Sequence, residues 1–275
     1  MMEFNQLYHA DCRQMLKELP SESIDFIVTD PPYGTTDATF DKIDFPHPEE
    51  YMNELMRVIK PNGAVCIFSQ LPFSCDVIKV ARKWYRYEWI WEKDLAVGFL
   101  NAHKMPMRCH ENILVFYKHL PTYNPQKWQG KPGSRDIKKR LIGEHGDSCY
   151  KKTVQPYSWK STDGLRYPRD VVKFVQAAAE FTPNDTSFRK SLHPTQKPRR
   201  LYEYLIKTYS NENEVVLDAF AGSGTCAVAC KNTRRRYICI EKDEKYYKIA
   251  IERIEKGETD DGTNRDQSRE ITLWT

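Results

Sequence analysis

Residues 215–225 constrain the fold more than any other stretch of the chain. Val215-Val216-Leu217-Asp218 is a short apolar, largely β-branched run. It passes without a spacer into Ala219-Phe220-Ala221-Gly222-Ser223-Gly224-Thr225 and then into a helix-compatible segment. Glycines at 222 and 224 let the backbone turn sharply and come within contact distance of a ligand, as in nucleotide-binding turns between strand and helix. Glu241 ends the next apolar run, 19 residues after Gly222, where such folds place an acid on ribose hydroxyls. The loop lacks the third glycine and the longer spacing of the dinucleotide fingerprint, and no P-loop lysine motif occurs, so NAD and ATP rank below other nucleosides.

Around this unit, short β-rich runs alternate with helical periodicity, the pattern of a mainly parallel sheet covered by helices. Seven strands are predicted: Leu7 to Ala10, Ile24 to Thr29, Ala64 to Phe68, Tyr87 to Trp91, Ile113 to Tyr117, Val215 to Asp218 and Tyr237 to Ile240. Helices are predicted over Pro48 to Lys60, from Pro198 onward, and over Asp243 to Lys256. Each carries one apolar face, for example Leu201, Leu205, Ile206 and Tyr209. The fold class is therefore α/β, a Rossmann-like, mostly parallel sheet of seven strands. With 40% hydrophobic and 29% charged residues the chain can bury one large core.

A second motif, Asp30-Pro31-Pro32-Tyr33-Gly34, follows the strand Ile24 to Thr29, at the edge where open α/β sheets place their sites. Two prolines remove backbone donors and hold the chain extended, so the carbonyls of Asp30 and Pro31 can face outward as acceptors. An acid, a fixed carbonyl and an aromatic ring suit an amino group on a planar ring: the acceptors bind its hydrogens while Tyr33 stacks on the ring face.

Asp30-Pro31-Pro32-Tyr33 and Phe220-Ala221-Gly222-Ser223-Gly224-Thr225 resemble the two signature motifs of S-adenosylmethionine-dependent DNA amino-methyltransferases. The tetrapeptide precedes the glycine loop, with a basic segment between them, as in the permuted β group of that family. His193-Pro194-Thr195-Gln196-Lys197-Pro198 resembles that group's motif ahead of the cofactor strand. The resemblance covers most of residues 5 to 255.

It implies that Asp30, Pro31, Pro32 and Tyr33 carry the catalysis. It also implies that Asp218, Phe220, Ala221, Gly222, Ser223, Gly224 and Thr225 shape a pocket for S-adenosylmethionine and that Glu241 binds its ribose. Asp11, after the first strand, matches the acid that meets the cofactor's adenine, and Lys197 would neutralise the methionine carboxylate. Taken alone, Asp11 reads as a helix N-cap and Lys197 as a solvated surface cation. Asp at position 30 resembles the adenine-N6 members of the family more than the cytosine-N4 members. The predicted reaction is thus transfer of a methyl group to N6 of an adenine flipped out of DNA, with N4 of cytosine as the alternative. An RNA or protein methyltransferase would place the cofactor loop first, and a silent nucleic-acid-binding protein would not need this set of residues.

The formal net charge of +4 names no partner, but its distribution does. From His119 to Lys190 there are 14 Lys and Arg against 7 Asp and Glu, whereas the remainder has 28 against 31. Lys131, Arg135, Lys138, Lys139, Arg140, Lys151, Lys152, Lys160 and Arg166 alternate there with Trp128, Tyr150, Tyr157 and Trp159, the mixture expected for phosphate contacts and base stacking in DNA. Asn101 to His110 is a further candidate for the DNA side. The organisation read from the sequence is a catalytic half (1–118), a target-recognition segment (119–190), a cofactor-binding half (191–257) and a polar tail (258–275).

Nothing approaches the roughly 20 apolar residues of a membrane span, and the start of the chain has no signal-like apolar region. A cytoplasmic, bacterial or phage-encoded protein with no membrane partner is expected. Eight scattered cysteines without a CxxC pair read as reduced thiols, and no metal site is predicted. Whether the chain pairs as a homodimer, or works with a partner restriction enzyme, is not written in these motifs.

Overall fold

The computed structural model describes residues 3–35, 48–130, 133–136, 158–161, 163–175 and 196–256. The chain falls into two compact units, Met1–Asn124 with Arg169–Thr275, and Pro125–Pro168.

In chain order the elements of the first unit are β1 (Gln6–His9), α1 (Cys12–Glu18), β2 (Ile24–Thr29), α2 (Pro48–Val58), β3 (Ile59–Ser69), α3 (Phe73–Ala81), β4 (Tyr85–Val97) and β5 (Arg108–Phe116). The second unit holds β6 (Trp128–Gln129), β7 (Gly133–Asp136), β8 (Ser158–Ser161) and β9 (Leu165–Arg166). The first unit resumes with β10 (Val171–Phe174), α4 (Arg199–Tyr209), β11 (Val215–Asp218), α5 (Thr225–Asn232), β12 (Arg236–Glu241) and α6 (Glu244–Lys256). Its sheet has eight strands in the order β1-β12-β11-β2-β3-β5-β4-β10. Neighbours are parallel except at β5, which runs antiparallel to both β3 and β4.

Central strands buried on both faces read as continuous apolar runs, and β2 and β11 do so. Phe26, Val28 and Val216 face one core layer together with Leu201, Leu205, Ile206 and Tyr209 of α4 and the buried face of α5. Ile24, Ile27, Val215 and Leu217 face the other layer, with Met15 and Leu16 of α1 and Leu55 and Met56 of α2. The helix after β2 therefore covers one face and the helix after β11 covers the opposite face, although β2 and β11 are neighbours. Adjacent strands whose connections diverge leave a crevice at their carboxyl ends, and both sequence motifs begin there.

Three sequence expectations shift. The sheet gains an eighth strand, Val171–Phe174, from within the stretch assigned to target recognition; it pairs with β4 from Val171↔Ile90 to Phe174↔Lys93. The helix predicted to reach Lys60 ends at Val58, and Pro61-Asn62-Gly63 lies inside β3 rather than in a turn. β3 pairs with β2 first at Ile24↔Ile59 and again from Phe26↔Ala64, so the irregular stretch is absorbed as a register shift. A side chain at 63 would meet the Asp25 carbonyl at 2.6 Å, which reserves that position for glycine. The ladder of β4 and β5 extends past the predicted Trp91 as a hairpin whose tip exposes Phe99 and Leu100.

In the second unit, β6 pairs antiparallel with β9 (Trp128↔Arg166) and β7 with β8 (Arg135↔Trp159). The Gly130 N–H donates to the Gly164 carbonyl at 2.9 Å between them. Trp128 with Arg166, Gly130 with Gly164 and Gly133 with Ser161 share one register, and the four short strands make two antiparallel pairs. Of the predicted DNA-contacting residues, Arg135 lies on β7, Lys160 on β8 and Arg166 on β9, while Lys131, Lys138, Lys139, Arg140, Lys151 and Lys152 lie outside the described residues. Among the described residues no helix is long and apolar enough to cross a membrane.

Candidate active site

Asp30 follows the last residue of β2 and Ala219 the last residue of β11, and these strands pair directly through Val216↔Phe26 and Leu217↔Ile27. Two motifs nearly two hundred residues apart in sequence thus stand side by side on one rim. Asp11, after β1, and Glu241, the last residue of β12, lie on the same rim because β1, β12 and β11 are parallel neighbours.

The glycine loop is held from three sides. Asp218 Oδ1 accepts the Phe220 N–H at 3.0 Å, Glu241 Oε2 accepts the Gly222 N–H at 2.7 Å, and the Ala221 N–H donates to the Ile240 carbonyl at 2.9 Å. Gly222 and Gly224 have φ of 52° and 80°. At Gly224 an added Cβ would lie 3.0 Å from the Ala250 Cβ, so glycine lets α6 pack directly against the turn. Arg253 of α6, 5% exposed, sends Nη1 to the Ser223 carbonyl (3.2 Å), Ser223 Oγ (3.2 Å) and Thr225 Oγ1 (2.9 Å). The side chains of Ser223 and Thr225, grouped from sequence with the cofactor-binding residues, therefore brace the loop from behind. Phe220 meets Tyr51 of α2 edge-on, with ring centroids 5.7 Å apart.

Burial dominates the electrostatics of this half. It pushes the Asp218 carboxyl up to about 7, the Phe220 N–H only partly offsetting it and the charges of Asp30 and Glu241 adding to it. Glu241 is also raised by burial, against the Asp243 and Gly222 N–H groups that favour its ionised form. Asp11 caps α1 through the Arg13 N–H at 2.9 Å and binds the Arg13 guanidinium at 2.6 Å and Lys242 Nζ at 3.0 Å. Those partners hold its carboxyl well below the usual range. The N-cap reading of Asp11 is thus realised, on the rim where the other acids stand.

On the β2 side, Asp30 Oδ1 accepts from the Tyr33 hydroxyl at 2.6 Å, and Oδ2 is 2.5 Å from Lys197 Nζ. The Tyr33 ring lies 5.3 Å from that of Phe73 on α3. Lys197 is not a surface cation: it is 6% exposed, and its Nζ also stands 3.4 Å from Glu111 Oε2. The partner expected for Lys197 was a cofactor carboxylate, but here its ammonium is held by Asp30 and Glu111. Burial raises Asp30, with Lys197 pulling the other way. For Lys197 burial alone would lower the pKa, but the two carboxylates outweigh it and the ammonium is raised.

Sequence reasoning missed Glu111, Lys93 and Arg253. The period-2 pattern carried a signal for the first two: Lys93 shares a strand face with Trp89 and Trp91, and Glu111 with Ile113 and Val115, all four buried in one core layer.

The DNA methylase family profile of N6/N4 type matches residues 24–252. Type II methyltransferase M.HpaI of Haemophilus parainfluenzae is 31% identical over 265 residues, covering 91% of this chain and 74% of that protein. DNA adenine methyltransferase YhdJ of Escherichia coli K12 is 27% identical over 266 residues, covering 92% and 83%. Among solved structures, the cytosine-N4-specific PvuII DNA methyltransferase superposes with a TM-score of 0.61 at 14% identity, covering 91% of this chain and 86% of that one. The M1.HpyAVI–SAM complex gives 0.56 at 23% identity, covering 90% and 98%, and both likenesses concern the fold. Since the profile takes in both loops of the rim and the sheet between them, the chain belongs to the N6/N4 family of S-adenosylmethionine-dependent DNA amino-methyltransferases.

Proposed function

We propose that this protein methylates N6 of adenine in DNA. The observation that carries the reading is the juxtaposition of Asp30-Pro31-Pro32-Tyr33 with the 219–225 loop on adjacent parallel strands. An acceptor set for an amino group then faces a nucleoside pocket across one crevice.

The residues present fit the cofactor. Each Glu241 oxygen accepts one backbone N–H and keeps acceptor capacity for ribose hydroxyls, and the positive-φ glycines let the loop backbone approach a ligand closely. When bound, S-adenosylmethionine supplies an electrophilic methyl group on a sulfonium. Phe220, Gly222, Gly224 and Glu241 would hold it, with Asp11 at the adenine end. The chain's own contribution is acceptor placement. An exocyclic amino nitrogen is a weak nucleophile because its lone pair is delocalised into the ring. Hydrogen bonds to Asp30 and the Pro31 carbonyl favour a more pyramidal nitrogen and stabilise the positive charge it gains. Tyr33 stacks on the base, and the two loops fix approach and exclude water, the larger part of the rate advantage.

Adenine is preferred over cytosine because position 30 is a carboxylate that the fold pairs with a buried cation, and the curated relative YhdJ is a DNA adenine methyltransferase. The antiparallel pairs β6–β9 and β7–β8 support the DNA side: a two-stranded β-ribbon fits the major groove, and Arg135, Lys160 and Arg166 lie on these strands. Incubation of mixed-sequence duplex DNA with methyl-labelled S-adenosylmethionine, followed by nucleoside analysis, tests the reading. Label in N6-methyl-2′-deoxyadenosine is expected. Label in N4-methyl-2′-deoxycytidine would replace the base assignment, and no incorporation into any DNA would refute the activity.

A further inference from the structure

Four charged side chains from four separate parts of the chain alternate in sign in a row that ends at Asp30. Lys197 Nζ touches Asp30 Oδ2 at 2.5 Å and stands 3.4 Å from Glu111 Oε2, and Lys93 Nζ of β4 bonds Glu111 Oε1 of β5. Lys93, Glu111 and Lys197 are 9%, 6% and 6% exposed; Lys93 and Glu111 share strand faces with core residues Trp91 and Ile113, and Lys197 precedes α4. Burying such charges costs several kcal/mol per ion, and an apolar filling of the same volume is commonly as stable. Stability therefore does not account for the quartet, whereas its contact with Asp30 gives it a role in the reaction.

We propose that Glu111 and Lys93 are positioning residues that act through Lys197 on Asp30, an inference that rests on the reading of Asp30 as the amino-group acceptor. Glu111 draws one side of Lys197, so the ammonium neutralises Asp30 Oδ2 without capturing both oxygens. Oδ1 is left out of the ion pair and takes the Tyr33 hydroxyl in this structure. Lys93 balances Glu111, and the quartet has no net charge. The arrangement offsets part of the burial that raises Asp30 and so sets how readily it ionises.

The test is charge arithmetic. Lys93→Met leaves the quartet with one excess negative charge and should move the acid limb of the single-turnover methylation rate upward by about one pH unit. Glu111→Gln leaves one excess positive charge and should move it downward by a similar amount. Lys93→Met/Glu111→Gln is neutral again, and its acid limb should return to the wild-type position. Tyr33, Tyr202 and Asp218 also face Asp30; they are common to all four proteins, so differences between profiles isolate the quartet. S-adenosylmethionine affinity, measured by calorimetry, should stay within about threefold throughout. Equal profiles with uniformly lower rates, or shifts of one sign in both single variants, would overturn the proposal. If a single variant fails to fold, the double variant decides, a displaced acid limb counting against the quartet. If the wild-type protein methylates no DNA, the functional reading fails separately. Titration of the Asp30 carboxyl by 13C NMR in the same proteins then decides: opposite displacements support the quartet, and unmoved titrations reject it.

Discussion

Asp218 should make this protein less stable at alkaline pH than at mildly acidic pH, and Asp218→Asn should remove that dependence. The carboxyl is 1% exposed, its Oδ1 accepts the Phe220 N–H, and burial lifts it from 3.8 to about 7. In the unfolded chain it ionises near its ordinary value. Between about pH 4 and pH 7 the folded state therefore holds a proton that the unfolded state has lost, and stability falls with rising pH across that window. A displacement of some three units at 1.36 kcal/mol each gives roughly 4 kcal/mol, and relaxation around the ionised group makes this an upper figure. Asparagine keeps an oxygen for the Phe220 N–H and carries no charge at any pH.

Urea unfolding of both proteins at pH 5 and pH 8, free of cofactor, measures the effect. The asparagine variant should lead by up to about 2 kcal/mol at pH 5, and the gap should widen to about 4 kcal/mol at most at pH 8, where it corresponds to roughly 8–16 °C in Tm at 2–4 °C per kcal/mol. Asp30 is raised by burial as well and contributes the same way in both proteins, so the difference between them belongs to position 218. Parallel pH dependences in wild type and variant would refute the reasoning, because they would mean that Asp218 ionises in the folded protein at its ordinary value.

Asp30→Ala should abolish methyl transfer while leaving S-adenosylmethionine affinity within about threefold by calorimetry; substantial residual turnover would remove Asp30 from the chemistry. Tyr33→Phe keeps the ring and loses the 2.6 Å bond to Asp30, whereas Tyr33→Ala loses both. If stacking is the ring's task, KM for DNA should rise far more in the alanine variant than in the phenylalanine variant, and equal rises would count against it. Gly224→Ala places a Cβ at φ 80° and 3.0 Å from Ala250, so a loss of about 1–2 kcal/mol in denaturant unfolding and weaker cofactor binding are expected; an unchanged midpoint would contradict the close packing of α6. Arg253→Met strips three hydrogen bonds from the loop, and cofactor KM should rise with kcat less affected, as kinetics at saturating DNA would reveal.

Much of the core was legible because its central strands are short, apolar and followed at once by their motifs. Val215 to Asp218 and Ile24 to Thr29 were bounded to the residue, since each apolar run passes at once into its motif. Less was legible where tertiary context overrode local signals. Pro61-Asn62-Gly63 reads as a turn, yet pairing with β2 on either side draws it into a strand. Val171–Phe174 is too short and its surroundings too polar to announce a strand, and it forms one because β4 offers an open edge. The strand pairing of the second unit is likewise carried by register more than by composition.

Lys197 shows why a site is harder to read than a fold. Local sequence reads it as a surface cation, and the family resemblance adds a cofactor carboxylate as its partner. In this structure it pairs with Asp30, just after β2, and with Glu111 of β5, which no helical or strand period links to 197. Period 2 did place Lys93 and Glu111 on faces otherwise filled by Trp89, Trp91, Ile113 and Val115. A charge on a buried strand face demands a counter-charge in the same layer, and Lys93 and Glu111, two residues beyond the predicted strand ends at Trp91 and Ile113, supply it to each other once β4 and β5 pair. Their pairing, however, is already neutral. A third buried charge, Lys197, breaks that neutrality unless a fourth, negative one completes it. The remaining candidate on this side of the rim is the aspartate of the tetrapeptide. Charge balance in a dry layer is thus the physical link that joins the catalytic motif to residues that sequence spacing leaves unconnected.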